Sequence, residues 1–280
     1  MNLIDCHSHT KNSPDGSNTV REMCERAIEL GLYAYGISDH CETNCFYEKN
    51  HYNIIPNEFD DYDFKSRFES SLAEITSAKE EFDGKINLLC GVELGQANQD
   101  FEVSEKIASD KRLDYVIGSV HNLTGFADFA FLYYPHENKE HLMEAYYKEM
   151  LEISKWGKFD ILGHLTYPLR YMEGEQGFKI NMSPYEEIIR EIFKTLAQNG
   201  KGIEINTSGL RQKYGKTFPD LHYVRLFKEC GGEIISLGSD SHCVADLGKG
   251  IKDGFLIAKE AGFENLCYFK NRKPVFVRID

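Results

Sequence analysis

Apolar positions along this chain follow two alternating rhythms. Short, mainly apolar runs, at 3–6, 34–37, 86–92, 115–120, 161–163, 202–205 and 234–237, read as strands. Between several of them, apolar residues return every three or four positions. Val20, Met23, Cys24, Ala27 and Ile28 mark one such helical face, and Gly31 stops it. Helical patterns also run over 63–82, 139–155, 223–230 and about 250–261. Another starts at Ser183, predicted as an N-cap with Pro184 in the first helical position and Glu186 closing a capping box. Its apolar face is Tyr185, Ile188, Ile189, Ile192, Phe193 and Leu196, and Gly200 ends it. A last apolar segment is Val275-Phe276-Val277.

About seven strand–helix units result, which predicts an α/β fold with a parallel sheet and helices outside it. That number suggests a closed barrel; an open doubly wound sheet is the alternative. No Gly/Pro/Ser-rich linker interrupts the pattern, so residues 1–280 read as one domain. Two connections, about 41–62 and about 122–138, are long for loops and are expected to wall a substrate pocket.

Composition narrows the partners. The net charge of -13 disfavours nonspecific contact with nucleic acid or an acidic membrane surface. No run approaches the ~20 apolar residues of a membrane span. The N-terminus lacks the pattern of a signal peptide, and the eight cysteines form no CxxC pair. A cytoplasmic protein with reduced thiols is the expectation. A G-x-S-x-G elbow and a phosphate-binding G-x-x-x-x-G-K-[ST] loop are both absent, and Gly248-Lys249-Gly250 reads as an ordinary loop.

The chemistry lies at strand ends. His7, His9, His40, His121, His164 and His242 are six of the ten histidines, and each sits at or just past an apolar run. Glu93 and Asp240 do the same. In a parallel barrel those ends share one face, where active sites are built. Imidazoles bind metals readily, and a carboxylate can bridge two ions, whose charge relieves repulsion between clustered acids. A lone histidine is an ordinary polar residue, as His51, His136, His141 and His222, which follow no strand, are read; the strand-end set together points to metal. Arg170 and Arg211 also lie beyond strand ends, where a guanidinium can grip phosphate oxygens. Ser38 and Glu42, beside His40, are candidates for contact with a substrate amine or imidazole.

These residues, with the segments His7-Ser8-His9-Thr10, Ser38-Asp39-His40, Gly163-His164 and Ser239-Asp240-Ser241-His242, resemble the polymerase-and-histidinol-phosphatase (PHP) family across nearly the whole chain. Within it, the length and the opening, with Ser13-Pro14-Asp15-Gly16, resemble the monofunctional histidinol-phosphate phosphatases. The resemblance implies a distorted (βα)7 barrel whose C-terminal strand face carries three divalent ions, zinc, manganese or iron. One ion would take His7, His9, Glu93 and Asp240; a second would share Glu93 and add His121 and His164. The third would take Asp15, His40 and His242, with Asp15 where many relatives carry histidine. It also implies phosphate contacts from Arg170 and Arg211.

Such a site keeps net positive charge inside an acidic protein and suits a phosphomonoester dianion. The expected reaction is hydrolysis of L-histidinol phosphate to L-histidinol and phosphate, as in histidine biosynthesis, by a metal-bridging hydroxide. Asp240 is the candidate for proton transfer, with His242 the alternative; pure ligation by Asp240 stays open. A phosphodiesterase or short-oligonucleotide nuclease on the same site, and a noncatalytic metal-stabilised module, are the competing readings. Long nucleic acid and membrane are not expected partners, and the sequence leaves the oligomeric state open.

Overall fold

The computed structural model describes residues 2–46 and 62–279. Strands and helices alternate: β1 (Ile4–Asp5), α1 (Val20–Glu29), β2 (Ala34–Ile37), β3 (His40–Glu42), α2 (Phe64–Glu81), β4 (Asn87–Gly95), α3 (Phe101–Ala108) and β5 (Tyr115–Ser119). Then come α4 (Lys139–Trp156), β6 (Ile161–Leu162), α5 (Glu186–Gln198), β7 (Gly202–Asn206), α6 (Leu221–Glu229), β8 (Ile235–Gly238), α7 (Ile251–Glu260), β9 (Asn265–Lys270) and β10 (Lys273–Arg278). Strands β1, β2, β4, β5, β6, β7 and β8 lie side by side in that order, all parallel, and β3 continues the line of β2 along β4.

The sheet curls until its first and last strands meet. Cys6 N–H donates to Leu237 O at 2.8 Å, Asp240 N–H to His7 O at 2.7 Å, and His9 N–H to Ser241 O at 2.8 Å. The parallel sheet of seven strands is thus nearly closed into a barrel with helices between the strands. The expected barrel stands, and the open-sheet alternative falls.

Side chains fill the barrel. Tyr115 is 1% exposed and crosses the interior to donate to Cys6 O at 2.8 Å. Gly36 and Gly91 make room for it, since a Cβ at either would come within 2.3 Å or 2.2 Å of the Tyr115 ring or hydroxyl. The hairpin β9–β10, read from sequence only as a terminal apolar segment, packs beside β8. Its turn seals the N-terminal end of the barrel: Arg272 donates to Asp160 just before β6, and Asn271 N–H to Asp114 just before β5. The functional face is therefore the other end.

Helix ends follow local rules. Thr19 and Glu22 form a reciprocal capping box on α1, and Gly31 takes φ 66° just past its end. The expected capping box at Ser183 does not form. Residues Ser183–Tyr185 make a 3-10 turn leading into α5, and Ser183 N–H is satisfied by Asn181 Oδ1 at 3.2 Å. The short α3, capped by Asp100, lies in a stretch that the apolar rhythm left unassigned.

Candidate metal centre

Each ligand candidate reaches the barrel mouth from its own strand end. The loop after β1 carries His7 and His9, β3 carries His40, β4 carries Glu93, and the ends of β5, β6 and β8 carry His121, His164, and Asp240 with His242. Residues as far apart in sequence as Asp15 and His242 converge on a cavity of about 350 Å³, whose lining does not include the fully buried His7 and His9. It is lined by Asp15, His40, Glu42, Glu93, His121, His164, Arg170, Asp240 and His242, with Phe64, Phe131, Tyr167 and Tyr171 as aromatic walls.

The donor atoms are spaced as ligands are. His7 Nε2 lies 3.1 Å from Glu93 Oε2 and 3.8 Å from Asp240 Oδ1; His9 Nε2 lies 3.5 Å and 3.3 Å from the same two oxygens. Around Glu93 Oε1, His121 Nε2 stands at 3.1 Å and His164 Nε2 at 2.8 Å, and the two nitrogens are 3.2 Å apart. A tetrahedral ion with donors at about 2.0–2.1 Å sets them about 3.3–3.4 Å apart. In a third group His242 Nε2 is 3.0 Å from Asp15 Oδ2, and His40 Nε2 is 3.8 Å from Asp15 Oδ1.

Bond satisfaction supports a cation as the missing partner. His7 Nε2, His9 Nε2, His40 Nδ1 and Glu93 Oε2 are buried without a hydrogen-bond partner among the described residues. Such atoms are rare and need an explanation. On His7, His9 and His121 the opposite ring nitrogen is occupied, whereas His164 Nδ1 is buried without a partner among the described residues. His9 Nδ1 meets Ser13 Oγ at 3.2 Å, and the Ser13 hydroxyl donates a hydrogen bond to Asp39 Oδ1 at 3.0 Å. His121 Nδ1 meets Glu42 Oε1 at 3.1 Å, and His7 Nδ1 meets Glu204 Oε2 at 2.8 Å. A protonated Nδ1 leaves the Nε2 lone pair facing the cluster, the usual arrangement of a metal-ligating histidine. The residues fit divalent ions.

Electrostatics agree. Burial alone would raise Glu93 and Asp240, yet the charge of His7, seconded by His121 and by His9 respectively, holds both carboxyls well below the usual range. Burial, with the charges of His242 and His40, pushes His9 down to about 3, so its imidazole is neutral. Asp240 is also strained, with φ 52° in the left-handed region. Arg170 is nearly buried and donates to Asp240 Oδ2 and Ser208 Oγ, both at 2.8 Å.

Two expected substrate contacts lie elsewhere. Arg211 does not line the cavity; it donates to the carbonyls of Ser239 and Asp240, both at 2.6 Å, and so braces the strained Asp240 backbone. Ser38 is fully buried below the mouth, near Tyr115, and does not line the cavity either. Glu42 does line it, but its Oε1 faces His121 and His40. The expected wall at 122–138 is present through Asn122, Asp128, Ala130 and Phe131; residues 47–61 of the other long loop lie outside the described residues.

Sequence reasoning missed Glu204, Asp128 and the Ser13–Asp39 relay. Glu204 left a signal: a single acid inside an apolar strand, where a buried charge needs a partner. Asp128 left none beyond its long loop.

A parallel barrel whose strand ends gather imidazoles and carboxylates into one cavity defines a metal-dependent barrel hydrolase. The chain belongs to the PHP domain family, which it matches over residues 5–208. It is similar to the histidinol-phosphatase of Lactococcus lactis subsp. lactis, at 30% identity over 278 residues, covering 98% of this chain and 96% of the relative. It is also similar to the probable histidinol-phosphatase of Thermotoga maritima, at 28% identity over 277 residues, covering 99% and 100%. Among solved structures it resembles histidinol phosphate phosphatase from Lactococcus lactis complexed with zinc, L-histidinol and phosphate, with a TM-score of 0.79 and 26% identity over 98% of this chain and 99% of that one. No helix among the described residues is long and apolar enough to cross a membrane.

Proposed function

We propose that the chain is a phosphomonoesterase that hydrolyses L-histidinol phosphate to L-histidinol and phosphate. One observation carries the reading. Unpartnered imidazole and carboxylate atoms face one another at metal-ligand spacing around Glu93, which lines the same cavity as Arg170. The end-to-end similarity to histidinol-phosphatases, one of them solved with L-histidinol and phosphate, supplies the substrate.

Three divalent ions are assigned: His7, His9, Glu93 and Asp240 to one; Glu93, His121 and His164 to a second; Asp15, His40 and His242 to a third. Zinc is the first choice, with manganese or iron as alternatives. Such ions supply positive charge for phosphoryl oxygens and lower the pKa of water toward ~7.

The side chains do the rest. Arg170 holds a phosphoryl oxygen from the side of Asp240. Asp240, kept ionised, takes the proton lost as water attacks phosphorus and returns it to the leaving alkoxide as the ester P–O bond breaks. His242, whose Nδ1 lies 3.8 Å from Asp240 Oδ1, is the alternative carrier. Glu42 and Asp128 give the cavity wall negative charge for the substrate's cationic amine. Asp128 Oδ1 already accepts from Ala130 N–H at 2.7 Å and Tyr167 Oη at 3.3 Å, which leaves Oδ2 for a ligand. The chain acts as one cytoplasmic domain on a small ester, without membrane or long nucleic acid.

The test is phosphate release from L-histidinol phosphate by zinc- or manganese-loaded protein, beside other phosphomonoesters and a dinucleotide. Turnover of L-histidinol phosphate above the others is expected. Preference for the dinucleotide would replace this reading with a phosphodiesterase, and inertness toward every ester would leave a noncatalytic module.

A further inference from the structure

Glu204 on β7 is 2% exposed and touches two ligand candidates at once. Its Oε2 is 2.8 Å from His7 Nδ1. Its Oε1 accepts from the backbone N–H of His164 at 2.7 Å and from Asn206 Nδ2 at 3.1 Å. The sequence makes room for this contact through Gly238, where a Cβ would meet His7 Cβ at 2.4 Å and Glu204 Oε2 at 2.7 Å.

One of these bonds has a fixed direction. A backbone N–H only donates, so Glu204 Oε1 must accept from His164. A carboxylate oxygen likewise only accepts, so the proton of this contact sits on His7 Nδ1. In the neutral ring that ligation requires, the Nε2 lone pair then points at Glu93 and Asp240, where Nε2 has no hydrogen-bond partner among the described residues.

We propose that Glu204 is a positioning residue that sets the tautomer of His7 and thereby decides whether that imidazole can ligate a cation. The proposal rests on the reading of His7 as a metal ligand. The two claims fail separately.

Glu204→Gln isolates the effect because it keeps shape and volume. The amide oxygen has to face His164 N–H, since the reverse sets N–H against N–H. The amide NH2 then faces His7 Nδ1, which must become an acceptor. The ring proton moves to Nε2 and the lone pair leaves the cluster.

The experiment is chelator competition for zinc on wild type and Glu204→Gln, with 15N-detected imidazole NMR of the zinc-loaded wild type. The variant is expected to bind the zinc assigned to His7, His9, Glu93 and Asp240 about 10–100-fold less tightly. Excess zinc should restore kcat, and the wild-type spectrum should show His7 protonated at Nδ1. Unchanged zinc affinity in a folded variant, or a His7 protonated at Nε2 in the wild type, would overturn the proposal. A variant that fails to fold leaves the wild-type spectrum to decide. A wild type that binds no zinc would instead sink the metal reading itself.

Discussion

Replacing Arg170 by methionine removes a guanidinium while keeping a long apolar stem against Tyr167 and Phe218, whose ring centroids lie 5.0 Å and 5.2 Å from Arg170 Cζ. Two charge-assisted bonds at 2.8 Å are lost, and Asp240 gives up one of the cations that hold its buried carboxylate. Breaking one side of a buried ion pair costs about 3–5 kcal/mol. For a chain of 280 residues, that corresponds to a drop of about 5–8 °C in the melting temperature of chelator-treated protein. Bound zinc supplies Asp240 with another cation, so the drop should shrink in loaded protein. Activity should fall with metal content intact, by about 10²–10³ in kcat, as for other lost donors to transition-state oxygens. Calorimetry with and without zinc, metal analysis and phosphate release read the three quantities. A metal-replete variant with kcat within about threefold of wild type would refute the role given to Arg170.

Other outcomes follow from the same geometry. Asp15→Ala should lose one equivalent of metal and keep the two held through Glu93, as read by elemental analysis; unchanged stoichiometry would remove Asp15 from the third site. Asp128→Asn keeps the bond to Ala130 N–H but loses the charge, so KM for L-histidinol phosphate should rise about tenfold. KM for a phosphomonoester without an amine should hold, and an equal rise for both would count against amine recognition. In metal-stripped protein, burial opposes charge on His7 and His121, but Glu204 and Glu93 raise the first and Glu42 and Glu93 the second. That stability is present below about pH 6.5 and fades as pH rises through the raised values. Glu93 and Asp240 are depressed, so theirs is present above about pH 4 and fades as pH falls through the lowered values. The melting temperature of stripped protein should peak between those limits, and zinc should move the peak upward because ligation needs neutral imidazole. A stripped-protein maximum near pH 8 would contradict this.

The barrel and its ligand candidates were legible because both depend on local pattern. Apolar runs mark strands, and a parallel barrel brings every strand's C-terminal end to one face, so His7, Glu93, His164 and Asp240 could be grouped without long-range information. Depth and direction were harder. Ser38 and His40 share strand parity, but Ser38 sits two residues lower, about 6.6 Å down a strand, inside the packed barrel. Arg211 lies where a phosphate grip was expected, yet tertiary contacts turn it to the carbonyls of Ser239 and Asp240. The partners of Ser13, Glu204 and Asp128 depend on which strands end up adjacent, which the spacing of any one segment does not encode. The Ser183 capping box lost to a tighter turn in which Asn181 serves the same N–H.

The proposed turnover of L-histidinol phosphate needs ions held at the barrel mouth. Its most direct test is stepwise titration of zinc into chelator-stripped protein while phosphate release from saturating L-histidinol phosphate is followed. The account predicts negligible release from stripped protein and a rise that levels off near three equivalents. Release that is independent of added zinc, or none at full loading with zinc, manganese or iron, would contradict it.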